Sequence, residues 1–424
     1  MNWKKMGLAA LVAAALTIPA LAAGLYTNGL PVAGSVPLTL PLTGDETIPM
    51  DTNLTSGLNP ATEAVTTDQL AGFIGGNLDS WRNGLIGGDF GQNLWQRGTT
   101  SASITTALLY GPDRWWGLSG TGTAFTIIQE TASQPTGFGG SARVQRTASE
   151  TGVLPVCVGQ VLSSANSYNY AGELVEFSFW AKSGANFSSA LDNVTATVAT
   201  GTGANGSAAN FSTGAWTGYA AATATSVTIS TTWTQYSVTA TIPATAAQVG
   251  VKICYTPVGT AGADDWFEFT GAQLAANPGA SARTSGTDTA YSMLDFEHRL
   301  TPVETTLQQA YYFRVTESAA ITPVATCANS TTSLALCWLP FPQTMRIIPT
   351  MTYTAGFAAN TTTAMTAVSA CTALATASAV ASTAVNTNSV LMGCTSSAAF
   401  GAAGTTSFLY SNNGSGVIQA SAEL

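Results

Sequence analysis

Three acids stand close together at Asp264, Asp265 and Glu268. Two carboxylates facing one cleft about 5–9 Å apart would suit glycoside hydrolysis, and an oxygen-rich loop of this kind can also hold calcium. Solvated loop acids are the plainer expectation. The single histidine, His298, lies between Glu297 and Arg299 in a polar stretch. That setting fits a solvated or ion-paired ring better than the base of a Ser-His-Asp or Cys-His set. No acid, base and nucleophile can be assembled, so the sequence does not read as an enzyme. Aromatic side chains are the other candidates, because flat rings stack on the faces of sugars. Trp115 and Trp116 are adjacent, and in a strand they point to opposite faces. At most one of them belongs to a core unless both sheet faces are covered. Trp216, with Tyr219 in the loop-like FSTGAWTGYA, is a second candidate. Core packing competes with glycan contact at every one of these tryptophans. Arg97 and Arg114, near the first pair, are expected to pair with Asp89 or Asp113 rather than to hold a substrate.

The elements that must position these groups are strands. Only 8% of the 424 residues are charged, against ~25% in an ordinary soluble domain, and Thr, Ser, Ala and Gly stand in their place. β-Branched threonines suit a pleated surface, while recurring Trp, Tyr and Phe argue against disorder. The length allows two or three domains. A net charge of −9 and four lysines leave no basic footprint for nucleic acid. With so little charge, solubility rests on hydroxyls, amides and burial in an oligomer. Of the six cysteines, none forms a CxxC, which excludes a zinc site with one histidine available. The spacing permits disulfides such as Cys327–Cys337 or Cys371–Cys394, and buried free thiols fit equally well.

Along the chain, residues 1–23 combine Lys4 and Lys5, an apolar run over Gly7–Leu16 and the small-residue site Ala20-Leu21-Ala22. They read as a secretory signal or as a buried apolar segment plugging into a partner, and the run is too short to span a membrane. Residues 24–80 are rich in Pro, Gly and Thr, with turns at Asp51-Thr52 and Asn59-Pro60 and a short helix expected over Asp68–Ile74. Residues 81–275 carry strand-like runs at sandwich spacing: Thr123–Gln129, Ala142–Arg146, Leu154–Leu162, Leu174–Ala181, Val194–Thr200, Ser226–Ser230, Thr234–Ile242, Val249–Tyr255 and Trp266–Leu274. In LVEFSFWAK, Val175, Phe177 and Phe179 share one face, opposite Leu174, Glu176, Ser178 and Trp180. Residues 276–300 read as a polar linker. Residues 301–424 read as a second, smaller β-sandwich, with strands over Leu307–Val315 and Phe341–Thr354.

Three stretches carry a resemblance. LTGDETIPMDT followed by NPATEAVTTDQLA resembles an N-terminal module of phage structural proteins. GDFGQNLWQRGT, YGPDRWWGLSG, ARVQRTASETG, FSFWAKSGANFS, TTWTQYSVTATIP and DWFEFTGAQL, in this order, resemble the carbohydrate-binding-module-like jelly roll of phage virion proteins. LQQAYYFRV with FPQTMRIIPTMTYT resembles the C-terminal module of phage tail fibres, with Gln308-Gln309-Ala310 where that family carries a cysteine. The resemblance implies an all-β protein: an extended docking arm (24–80), a central jelly-roll β-sandwich (81–275) and a C-terminal β-module (301–424). It implies a virion appendage or decoration subunit, a tail fibre or head fibre, assembled as a homotrimer. Such a subunit docks on other virion proteins through its arm and contacts host surface glycans. It also implies a structural calcium to which Asp89 and Asp265 would contribute, although Thr270-Gly271 occupies the usual acidic position of the last strand. A secreted or periplasmic bacterial carbohydrate-binding protein is the alternative, and takes the signal-like N-terminus at face value.

Overall fold

In a computed structural model the chain divides into two compact units, Met1–Gly75 and Gly76–Leu424. The described residues are 26–27, 30–31, 47–51, 62–66, 82–91, 94–316, 322–354, 356–360, 369–371, 373–376, 384–397, 399–411 and 416–424. In the first unit these are four strands: β1 (Tyr26–Thr27) pairs with β2 (Leu30–Pro31), and β3 (Thr47–Asp51) with β4 (Thr62–Thr66). The apolar segment 1–23, the helix expected over Asp68–Ile74 and most of the expected docking arm lie outside the described residues.

The second unit opens with eleven strands in two facing antiparallel sheets. They are β5 (Leu109–Tyr110), β6 (Trp116–Ser119), β7 (Phe125–Glu130), β8 (Ser141–Arg146), β9 (Val156–Val161), β10 (Leu174–Ser183), β11 (Asn193–Gly201), β12 (Ala220–Thr228), β13 (Thr234–Thr241), β14 (Gln248–Tyr255) and β15 (Trp266–Ala276). One sheet runs β13-β10-β15-β8-β7 and the other β12-β11-β14-β9-β6-β5. This is a jelly-roll sandwich, and the alternation in the sequence builds it. Val175, Phe177 and Phe179 of β10, with Tyr236 and Val238 of β13, turn inward and are completely buried. They meet Val194, Ala196 and Val198 of β11 and Val249, Val251 and Ile253 of β14 across one apolar core. Opposite Phe179, β15 inserts an extra residue at Gly271, whose φ of +61° suits glycine. A Cβ there would meet the Phe138 ring.

Ten more strands complete the unit: β16 (Tyr312–Thr316), β17 (Pro323–Thr331), β18 (Leu334–Pro340), β19 (Thr350–Tyr353), β20 (Phe357–Asn360), β21 (Ser369–Ala370), β22 (Ala373–Thr376), β23 (Ser389–Thr395), β24 (Thr406–Ser411) and β25 (Val417–Ser421). A three-stranded sheet, β16-β25-β19, packs on a seven-stranded one, β21-β20-β24-β17-β18-β23-β22, around a second core. The strand expected over Leu307–Val315 is helical in its first third, up to Gln309, and extended only from Tyr312. Pro302 near the helix start, and Glu304 in the first turn, favour the helix Thr301–Gln309 over a strand. Of the strand expected over Phe341–Thr354, only Thr350–Tyr353 is extended within a sheet. All six cysteines are paired: Cys157–Cys254 ties β9 to β14, Cys327–Cys337 ties β17 to β18, and Cys371–Cys394 reaches β23. Among the described residues no helix is long and apolar enough to cross a membrane.

The two sandwiches meet at a buried ion cluster. Glu423, just past β25, accepts from Arg97 (3.3 Å) and from the side chain and backbone of Arg114. Arg97 also binds the fully buried Asp113 (2.7 Å) and stacks over the Tyr312 ring, while Arg114 stacks over Tyr311. Burial raises the Asp113 carboxyl to about 7, against the opposing pull of Arg97. Glu423→Ala leaves the buried Arg114 guanidinium without a carboxylate, while Arg97 keeps Asp113, and should cost about 3–5 kcal/mol in urea unfolding; a change within ordinary surface variation would refute the clamp. Folded Asp113 holds its proton more tightly than unfolded Asp113 does. Its contribution to stability therefore falls as pH rises from the ordinary carboxylate range to about 7. Across that interval Asp113→Asn should gain on the wild type in urea midpoint, and parallel curves would contradict the shift.

Candidate functional site

The aromatics singled out in the sequence are largely interior. Trp115 is 1% exposed, packs between Phe90 and Phe269 in the jelly-roll core, and donates from Nε1 to the Ile86 carbonyl at 3.1 Å. Trp116 points the other way, as adjacent strand residues must, yet is also fully buried. The outer face of the six-stranded sheet is itself covered there. A short helix, α1 (Ala208–Thr213), capped by Ser207 and ended by Gly214 at φ +73°, lays Phe211 against Trp116 and Trp216 against Phe211. Leu424 packs into the same cluster and its carbonyl accepts from Tyr110 and from the backbone of Ala208. Trp216 is 4% exposed and donates to the Ser207 carbonyl. Trp115, Trp116 and Trp216 therefore present no ring face to a ligand. Tyr219 remains half-buried at the margin of this cluster.

The acids are separated in the same way. Asp265 is wholly buried and its carboxylate is saturated by Arg146 (2.7 Å), the Ser188 hydroxyl (2.8 Å) and the Ser188 amide (3.0 Å). Glu268, three residues on, lies on the opposite face of β15, and Asp264 is exposed. Asp89 lies beside Thr270, five residues or roughly 17 Å along β15 from Asp265. The Thr270 hydroxyl donates to the carbonyls of Gly140 (2.8 Å) and Asp89 (3.2 Å). Among the described residues no cluster of three or more His, Cys, Asp or Glu could hold a metal. Asp89 and Asp265 are too far apart to share one cation, and the Asp265 carboxylate is already taken up by Arg146 and Ser188.

What the fold does bring together is a set of tryptophans on the outer face of the five-stranded sheet. Half of that face is covered. The stretch read as a linker, 276–300, lies across it: Asn277 and the Leu294 amide bind Glu176, and the Glu297 amide binds Gln273. The other half is open. Trp233 stands at the start of β13, beside the β10 position of Lys182; Lys182 is paired with Glu268 on β15, and Glu268 with Arg143 on β8. Trp180 and Trp266 lie two residues from Lys182 and Glu268 and so share the face. All three residues are partly exposed. Lys182 Nζ lies 4.7 Å from the Trp233 ring centre and 5.8 Å from that of Trp266, and Arg143 lies 4.5 Å from the Trp266 ring. Beneath them the fully buried Glu268 accepts from Ser141 (2.5 Å) and faces Lys182 (3.4 Å) and Arg143 (3.5 Å). Arg143 reaches Glu130 as well, at 2.7 Å. The carboxylate holds both cations in place, and the cations hold the rings. The array offers flat apolar faces next to fixed donors, the pairing that amphipathic ring ligands use.

No protein-family model and no curated protein matches the chain. Among solved structures it is similar to a family 4 carbohydrate-binding module, at 14% identity and TM-score 0.22, covering 35% of this chain and 77% of that one. It is also similar to TmCBM61 in complex with β-1,4-galactotriose, at 11% identity and TM-score 0.27, covering 46% and 99%. A third is the enzymatically active domain of bacteriophage CBA120 tailspike protein 4, at 9% identity and TM-score 0.27; 46% of this chain aligns with about a fifth of that one (21%).

A signal for the tryptophan array was present in the sequence. Trp180 falls on the polar face of LVEFSFWAK, beside Glu176 and Ser178, where a core residue has no place. Removing divalent cations should leave the thermal midpoint unchanged, since Asp265 is neutralised by Arg146 and not by a metal. A drop in midpoint with chelator, restored by calcium, would overturn that assignment.

Proposed function

We propose that this chain is a non-catalytic, glycan-contacting β-protein of a phage virion appendage, and that its contact surface is the open half of the five-stranded sheet. The observation that supports the reading is the array of Trp180, Trp233 and Trp266, partly exposed on one face, with Trp233 and Trp266 braced by Lys182, Arg143 and the buried Glu268. Sugar rings present C–H groups on one face and hydroxyls at the rim. Tryptophan faces meet the first, and the outward edges of Lys182 and Arg143 meet the second. Both carboxylates near the array, Glu268 and Glu130, are ion-paired through Arg143, which leaves neither as a free acid or base and favours binding over hydrolysis. The virion assignment rests on the ordered sequence resemblance across arm, body and C-terminal module.

A second reading, a secreted or periplasmic carbohydrate-binding protein, is favoured by one observation. Three intramolecular disulfides suit folding in an oxidising compartment. Intact mass of the chain in purified particles, against the chain recovered from periplasm or medium, separates the two.

On an immobilised glycan panel the full chain should bind, and Trp180→Ala and Trp233→Ala should each weaken that binding roughly tenfold, about 1.4 kcal/mol, without altering the unfolding midpoint. Binding that survives both substitutions, or no binding at all, would sink the reading.

A further inference from the structure

The seven-stranded sheet has an outer face that the three-stranded sheet does not cover. Strand β18 reads LALCWLP. Ala335, Cys337 and Leu339 enter the core, while Leu334, Leu336, Trp338 and Pro340 point away from it. A strand in the middle of an antiparallel sheet normally alternates apolar and polar when one face meets water. This one is apolar on both sides, so its outer side is built to be covered.

The register puts the exposed residues in rows. Leu391 of β23, Trp338 of β18, Thr326 of β17 and Phe408 of β24 lie directly opposite one another, and Gly393, Leu336, Ala328 and Thr406 form the next row. Trp338 is 55% exposed and Phe408 43%. Charge is absent: no Lys, Arg, Asp or Glu occurs from Ser318 to Met345 or from Ile347 to Ala422. Seven strands give a flat footprint on the order of 30 Å by 20 Å, the scale of the ~800 Å² each partner contributes to a specific interface.

We infer that this face is a self-association surface, and that its occupant is the same face of a second copy. A partner bringing charge would lose its hydration against a surface that offers no counter-charge. The chain's own face is uncharged, apolar along β18 and flanked by hydroxyls. It is also self-complementary. Trp338 and Phe408 sit one strand to either side of Thr326, so a two-fold axis along β17 places Trp338 of each copy over Phe408 of the other. That is the reciprocal pairing an isologous contact requires, and aromatic pairs of this kind are favoured at interface centres.

Sedimentation velocity on the full chain tests it. The wild type should sediment at twice the chain mass. Trp338→Lys alone and Phe408→Glu alone should give folded monomer with an unchanged circular-dichroism spectrum, because both side chains are exposed. The double variant, in which each new lysine faces the partner's new glutamate, should recover the dimer. Thr326→Lys, at the axis and outside both cores, should also dissociate it. A monomeric wild type overturns the inference, including one whose tryptophan fluorescence responds to added oligosaccharide. A trimer indifferent to these substitutions overturns it too, as does a double variant that stays monomeric.

Discussion

Much of the second unit depends on how Arg114 is held. Its backbone sits in the left-handed region, φ +70°, which costs a non-glycine residue on the order of 1 kcal/mol or more. The side chain is buried, and the turn Gly111–Trp115 holds it between the Val161 carbonyl, the Tyr311 ring and Glu423. Glu423 comes from the far end of the chain, more than 300 residues away in sequence. One carboxylate thus joins the turn that launches Trp115 and Trp116 to the last strand of the three-stranded sheet. With that contact made, Leu424 lies over the outer face of the six-stranded sheet and Trp116 is sealed from solvent.

The same contact covers one of the jelly roll's faces, and a separate stretch covers part of the other. The jelly roll has two outer faces. That of the six-stranded sheet carries the short helix Ala208–Thr213 and the C-terminal residues over its aromatic end, and half of the five-stranded face carries residues 276–300. The end bearing Trp180, Trp233 and Trp266 stays open, beside the bulge at Gly271. Bulges bend a strand and re-aim its neighbours. Here the bulge turns Thr270 toward the Gly140 and Asp89 carbonyls and leaves Trp180 on the outer side.

The sandwich was legible because its strands alternate strongly. LVEFSFWAK and WTQYSVTATIP name their own inner faces, and Val175, Phe177, Phe179, Tyr236 and Val238 are all core residues. Strand β12 was legible only near its end, since AATATS offers alanine and threonine without the bulky residues that mark a face. The helix before Tyr312 was missed because its signals, Pro302 and Glu304, precede the aromatic pair that looked like a strand. The burial of Trp116 and Trp216 was not legible at all. It depends on Phe211 and Leu424, brought together by tertiary contacts that no local pattern encodes. Trp180 and Trp233 were passed over as candidates, although each is a large aromatic standing on the polar side of an alternating strand.

The acids illustrate the same division in electrostatic terms. In sequence, Asp264, Asp265 and Glu268 form one cluster. In the sheet, the two-residue period sends Asp265 and Glu268 to opposite faces, and each meets arginine from β8, Arg146 and Arg143 respectively. With 8% of residues charged, many of the charges here are engaged with one another in pairs, and pairs of this kind shape the interior more than they colour the surface. A chain built this way meets its surroundings through ring faces and hydroxyls.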